Sequence, residues 1–251
     1  MSEFMKLNID FVRSRLPNRD LRYFDTIDTT MREAAGCPPR TVVIAEEQTA
    51  GQGRHGHAWH SEKGLGLYLS VVLPRESTPA LTMALGLATA EAITTTTAIT
   101  CDLRWPNDVM AGNRKTAGIL AQLVDSAAIA GIGINVNHQI FPESLAEEAT
   151  SLCIESGEEQ SREQLLIALL PAVDRYVQLL VDQGPSAILD RFSRHSTYAS
   201  GKRVTVRQGD SILQGTTAGL NDDGFLVVRK DDGSDEVIFA GGVRAAGARR
   251  R

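Results

Sequence analysis

Cysteine is scarce in this chain: Cys37, Cys101 and Cys153 lie far apart, with no C-x-x-C pair. That argues against a disulfide framework or a thiolate zinc site and points to a reducing cytoplasm. A basic excess is missing as well. With 26 Lys and Arg against 31 Asp and Glu, the formal net charge is −5, so the electrostatic footprint of a general nucleic-acid binder is absent and no DNA partner is expected. The opening MSEFMKLNIDFVRSR carries acidic residues and no long apolar run, unlike a signal peptide or a membrane span. The weakly polar run over residues 80–98 is too rich in Thr and Ala to cross a bilayer, so no membrane partner is expected. Internal repeats and low-complexity stretches are not found. What is present is ordinary for a globular protein: 251 residues, 42% hydrophobic and 23% charged, enough for one large domain or a large and a small one.

The chain reads as α/β up to about residue 198 and as a small all-β module over 199–251. Residues 1–20 form a short lead-in, too brief for a helix-turn-helix domain. Strands are expected over 22–26, 41–45, 65–73, 102–105, 115–124 (with a bulge at Gly118) and 127–136, the last two forming a hairpin. Helices are expected over 29–35, capped by Asp28 or Thr29 and stopped by Gly36, and over 79–95, 161–181 and 186–194. In the long third helix, Leu165, Leu169, Val173, Tyr176 and Leu180 recur at helical spacing. Beyond residue 200, strands at 204–206, 212–220, 225–229 and 237–240 alternate with Asp/Gly-rich turns, the pattern of an SH3-like barrel. The tail 245–251, with its three arginines, reads as a frayed, solvated end.

Four stretches carry candidate chemistry. Gly51-Gln52-Gly53-Arg54-His55-Gly56-His57-Ala58-Trp59 has G-x-G-x-x-G spacing, which lets a backbone approach an anionic ligand closely. A strand follows it where a dinucleotide fingerprint requires a helix, and no G-K-[ST] closes it, so neither a Rossmann site nor a P-loop fits. His55, His57 and His60 have no acidic partner at helix spacing and read as polar loop residues, not metal ligands. Arg104-Trp105-Pro106-Asn107-Asp108 is a rigid turn that offers a carboxamide and a carboxylate. In Arg114-Lys115-Thr116-Ala117-Gly118-Ile119-Leu120 a lysine enters a strand and can either aim a charge into a pocket or guard a sheet edge. In Gly131-Ile132-Gly133-Ile134-Asn135-Val136-Asn137 the strand glycines mark close approach by a ligand or another backbone.

Taken in order, E-x-Q-x-x-G-x-G-R-x-G-x-x-W, R-W-P-N-D, R-K-x-A-G-I-L and G-I-G-I-N-x-N closely resemble the motifs of the biotin protein ligases. The similarity runs over roughly residues 22–138, and the β-rich tail resembles the family's C-terminal SH3-like domain. The resemblance implies a mixed β-sheet catalytic domain with helices on one face. The reaction it implies is ATP-dependent formation of biotinyl-5'-AMP, followed by transfer of biotin to a lysine of the biotin carboxyl carrier protein of acetyl-CoA carboxylase. It places Thr29, Thr30 and Gln48 on the ureido ring, with Gly51, Gln52, Gly53, Arg54, Trp59, Lys115 and Gly118 also around biotin. On the adenylate it places Arg54, His55, Gly56, His57, Trp59, Asn107, Lys115 and Asn135. Lys115 and Arg54 are the expected catalytic cations, Mg²⁺ the expected cofactor and Asp108 its expected neighbour. Gln52 departs from the arginine common at that position, and Thr29-Thr30 from the common Ser-Thr pair. The resemblance is to the monofunctional, cytoplasmic type without a DNA-binding segment, as monomer or homodimer. A lipoate–protein ligase is the nearest alternative, and a non-catalytic biotin or nucleotide sensor is a second. A nicotinamide oxidoreductase would rest on the glycine spacing alone.

Overall fold

The computed structural model describes residues 6–246 except Ser77, Ser126 and Asp210. Seven strands form the main sheet: β1 (Leu21–Phe24), β2 (Val42–Ala45), β3 (Gly66–Pro74), β4 (Cys101–Arg104), β5 (Asp108–Ala111), β6 (Arg114–Val124) and β7 (Ala127–Asn135). Their spatial order is β1-β2-β3-β7-β6-β5-β4; only β1 and β2 are parallel, so the sheet is mixed. The expected hairpin of β6 and β7 is present. Strand β5 is an addition: the Trp105-Pro106-Asn107 turn does not end the sheet but folds β5 back on β4, with Arg104 opposite Asp108.

The helices are α1 (Ile9–Arg15), α2 (Thr30–Ala35), α3 (Thr78–Thr97), the short α4 (Glu143–Ala146) and α5 (Leu152–Ser156), α6 (Arg162–Gln183) and α7 (Pro185–His195). The lead-in thus contains a helix, which packs on α6. Helices α3 and α6 cover one face of the sheet, with α7 against α3. On that side lies a continuous core that includes Leu67, Leu69, Leu81, Leu85, Ile119, Ile132, Leu166 and Leu169. In α6, Val177 is buried where Tyr176 was expected to be; the Tyr176 hydroxyl reaches out to Glu91. By length and composition alone α6 could cross a membrane, but one stripe of it packs into the core and Arg175 and Asp182 lie on another.

The expectation of helices on one face holds for these long helices, while α2 lies on the other. It packs on β2, β3 and β7 through a separate small cluster of Met31, Ala34, Val43, Val72 and Ile129. Thr29 caps it by accepting the Met31 N–H, and Gly36 ends it. The rest of that face is lined with strand glycines instead of helices, which leaves it open for a site.

Five strands build the C-terminal module: β8 (Ser200–Gln208), β9 (Ser211–Leu220), β10 (Leu226–Arg229), β11 (Asp235–Ile238) and β12 (Gly242–Ala245). All pairs are antiparallel, in the order β11-β10-β9-β8-β12. Strand β12 includes Ala245, where the sequence suggested a frayed tail; residues 247–251, with the three arginines, lie outside the described residues. Val204, Leu226, Val228 and Ile238 of the module join the main core.

Candidate functional site

A cavity of about 380 Å³ opens on the α2 face of the sheet, within the size range of small-molecule sites. Its floor exists because of glycine. Gly118 on β6 and Gly133 on β7 are register partners. A Cβ on Gly133 would lie 2.4 Å from the Trp59 indole, and one on Gly118 would lie 2.8 Å from it. The indole therefore lies against bare backbone. Gly131 makes the same kind of room for Met31, whose Sδ would be 2.8 Å from a Cβ there. Close approach by a ligand or another backbone was expected at these glycines; in the structure it is made instead by the side chains of Trp59 and Met31.

The glycine loop is a small hairpin. Gln52 bridges to Ala58, Gly53 N–H donates to the His57 carbonyl at 2.7 Å, and a single 3-10 turn spans Arg54–Gly56. Gln52, Gly53, Arg54, His57, Ala58 and Trp59 line the cavity. Gly51 and Gly56 are not among the lining residues. Gly51 is needed for packing, since a Cβ would lie 2.7 Å from the Trp59 carbonyl oxygen, and Gly56 adopts φ +76° in the turn. The His55 side chain lies outside the described residues.

Under the loop, Glu46 is buried and accepts from the Leu7 N–H, the Tyr23 hydroxyl and the Arg162 guanidinium, each at 2.7 Å. The first residue of the motif is therefore an anchor. Nearby, Thr30 donates to Gln48 Oε1 through its N–H (2.9 Å) and its hydroxyl (3.1 Å) and shares a 2.7 Å bond with the Ser70 hydroxyl. Gln48 Nε2 donates to Ser61 at 2.9 Å. Thr29, Thr30 and Gln48 all line the cavity. The sequence reading missed Ser61 and Ser70, which fix this polar group. For Ser70 the available signal was a serine among the mostly apolar residues of β3; Ser61, before that strand, had none.

The third part is cationic. Asn107 Nδ2 donates to the Ile119 carbonyl at 3.0 Å and its Oδ1 accepts from Arg54 at 3.3 Å. Asp108 takes Arg104 at 2.7 Å on Oδ2 and Lys115 Nζ at 2.5 Å on Oδ1. Burial opposes ionisation of Asp108, but Lys115 and Arg104 outweigh it and hold the carboxyl below its ordinary range. Burial lowers the Arg54 pKa, with the Asp108 charge opposing. For Arg104, Asp108 more than offsets burial and raises it. Three cations around one carboxylate leave the region positive and suited to anions.

Lys115 reaches this place through a bulge. Between Met110↔Lys115 and Val109↔Ala117 the extra residue is Thr116, not Gly118 as expected. In a regular strand Lys115 would share the face of Ala117 and Ile119, towards α3. The bulge turns it to the cavity face, with Nζ 5.2 Å above the Trp59 ring. The Trp59 indole N–H is buried without a protein partner.

Asp108, expected beside Mg²⁺, is engaged by cations on both oxygens. Glu148, which also lines the cavity, is paired with Arg244 through both of its oxygens. These carboxylates do not fit a resident Mg²⁺. Asn135 is buried, with Nδ2 donating to the Thr150 carbonyl at 3.0 Å. The C-terminal module closes the cavity through Gly241, Gly242, Val243 and Arg244, and Trp105 Nε1 donates to the Gly224 carbonyl at 2.9 Å. Nothing in the sequence linked these residues to the site.

Comparison with known proteins converges. Residues 23–138 match the Biotin/lipoate A/B protein ligase family, and residues 199–243 match the Biotin protein ligase C terminal domain. The chain is 30% identical over 245 residues to the "Bifunctional ligase/repressor BirA" of Bacillus spizizenii, covering 91% of this chain and 75% of that protein. It is 31% identical over 224 residues to the "Biotin--[acetyl-CoA-carboxylase] ligase" of Mycobacterium tuberculosis, covering 86% and 82%. The solved structure of a biotin protein ligase from Aquifex aeolicus in complex with biotin and ATP superposes with a TM-score of 0.82 at 28% identity, covering 90% of this chain and 99% of that one.

Proposed function

We propose that this chain, which belongs to the biotin protein ligase family, activates biotin with ATP to biotinyl-5'-AMP and transfers the biotinyl group to a lysine of a biotin carboxyl carrier protein. The observation that carries the reading is the composition of one cavity. It joins a preset hydrogen-bonding group (Thr29, Thr30, Gln48), an apolar wall (Trp59, Leu69, Ile132) and a cationic cluster (Arg54, Arg104, Lys115). A ureido ring has two N–H donors and one carbonyl, and burying it requires matched partners. The Thr29 hydroxyl, already accepting the Met31 N–H, keeps its own proton to donate.

In the first step a biotin carboxylate oxygen attacks the α-phosphorus of ATP and pyrophosphate leaves. Two anions must approach, so positive charge fixed in a low-dielectric site lowers the barrier. Lys115 and Arg54 are the groups assigned to this. In the second step the carrier lysine amine attacks the anhydride carbonyl and AMP leaves. No enzyme nucleophile enters either step. The loop over residues 51–59 shields the mixed anhydride from water. Mg²⁺ enters as the counter-ion of the ATP substrate, since the cavity carboxylates are committed to cations.

Mass-spectrometric detection of biotinyl-5'-AMP after mixing the chain with biotin and MgATP tests the assignment. A parallel reaction with lipoate should give no adenylate. Adenylate from lipoate alone, or tight biotin binding without any adenylate, would overturn it.

A further inference from the structure

We propose that His60, Glu62 and His138 form a binding site for a divalent transition-metal ion of the zinc class, at the edge of the cavity where His60 and Phe141 line it. His60 and Glu62 lie between the glycine loop and β3, while His138 follows β7. Because Gly66 pairs with Asn135 in antiparallel register, the segments before β3 and after β7 meet, and Asn137 N–H extends the pairing to the Leu65 carbonyl at 2.7 Å. One donor atom from each of the three residues lies within 4.8 Å of the others. His60 Nε2 is already 3.4 Å from Glu62 Oε2. A tetrahedral zinc ion with nitrogen and oxygen bonds near 2.0–2.1 Å separates its ligands by about 3.3 Å. One edge of the tetrahedron is therefore in place, and the others need contraction by at most about 1.5 Å.

Two further observations point the same way. His60 Nε2 and His138 Nδ1 are buried without a protein hydrogen-bond partner, a state that buried polar atoms rarely keep. The tautomer of His138 is set by Tyr68, whose hydroxyl donates to the Glu62 carbonyl at 3.0 Å and lies 3.2 Å from His138 Nε2. With its single proton used on the carbonyl, the phenol accepts from Nε2–H, so Nδ1 presents a bare lone pair. Tyr68 thus orients both a ligand ring and the backbone of the carboxylate ligand, as outer-shell partners of metal sites do. Two imidazoles and one carboxylate suit zinc and its neighbours, not Mg²⁺, which prefers oxygen. An ion held there would tie the residue after Trp59 to the end of β7 and fix the indole on its glycine floor.

The test uses the chelator-treated full chain and Co²⁺ as an optical probe. Visible absorption saturating at one equivalent, displaced by Zn²⁺ and unaffected by MgATP, is expected. Zn²⁺ at a hundredfold excess over Kd should raise Tm by about 5–10 °C. His138→Gln and His60→Asn should each weaken binding at least about a hundredfold, and His57→Ala should leave it unchanged. Glu62→Gln, at a partly exposed position less prone to unfold the chain, should weaken it about tenfold or more. Absence of one-equivalent binding below about 100 μM, or wild-type binding by folded Glu62→Gln together with either histidine variant, would overturn the site and leave water as the partner of these nitrogens.

Discussion

Replacing Gly133 by alanine tests how Trp59 is held. The new Cβ would lie 2.4 Å from Cε2, 2.5 Å from Nε1 and 2.8 Å from Cζ2 of the indole. Ordinary carbon contacts begin near 3.5 Å, so the ring must retreat by about 1 Å. Over Gly118 the ring already lies close to the backbone, 2.8 Å from where a Cβ would stand. The remaining movement is off the sheet and into the cavity, towards Lys115. Overpacking of this kind costs about 1–3 kcal/mol, which lowers Tm by roughly 2–4 °C per kcal/mol in a chain of this length. A misplacement of about 1 Å also reduces turnover by about a hundredfold. Thermal melts and biotin-dependent pyrophosphate release give both readouts. Adding Trp59→Ala should recover much of the lost stability, with a coupling of about 1 kcal/mol or more. Gly36→Ala, where a Cβ meets nothing within 4 Å, is the control. If Gly133→Ala melts with the wild type, or the double variant is additive within about 0.3 kcal/mol, the indole does not rest on this backbone.

Lys115→Ala should cut biotin-dependent pyrophosphate release by about a hundredfold or more with little loss of fold; near-wild-type release would remove Lys115 from the adenylation step. Asp108→Asn leaves Arg104 and Lys115 without their counter-charge and should destabilise by about 3 kcal/mol in denaturant titrations at pH 7. Because the folded pKa of Asp108 lies below its ordinary value, its stabilising contribution is complete above the unfolded pKa, about 3.9, and fades as pH falls through the folded pKa. The stability gap between wild type and Asp108→Asn should therefore narrow below about pH 4, and a gap independent of pH would contradict the ion-pair account. Ser70→Ala removes the hydroxyl bonded to Thr30 and should raise KM for biotin more than it changes kcat, with about 1 kcal/mol of stability lost; an unchanged KM would separate Thr30 from biotin binding.

Much of this site is legible in the sequence because the chemistry is local to short motifs. The N-cap at Thr29, the hairpin of β6 and β7 and the close approach at the strand glycines follow from spacing and residue type. The rest depends on pairing between distant segments. The Thr116 bulge reverses the face of Lys115, and alternation alone would have aimed that lysine at α3. Asp108 looks like a metal ligand until Arg104 and Lys115 are seen on its two oxygens. His60 lacks an acidic partner at helix spacing, yet the register of β3 on β7 brings Glu62 and His138 to it across the end of the sheet. Ser61 and Ser70 carry no motif, and their part appears only where Gln48 and Thr30 bond to them.

The Trp105–Gly224 hydrogen bond and the run Gly241–Arg244 on the cavity wall mean that the chemistry has no boundary where the secondary structure changes character near residue 200. The five-stranded module is a movable wall in principle and a fixed one in this arrangement, because its apolar side merges with the core under α3 and α7. Insertions in its exposed turns, such as 231–233, should be silent. Insertions on the Gly224 or Gly241 side would be felt as a changed cavity even though every motif in residues 23–138 stayed intact. Variation that alters substrate handling can therefore arise in the part of the chain that carries none of the recognisable motifs.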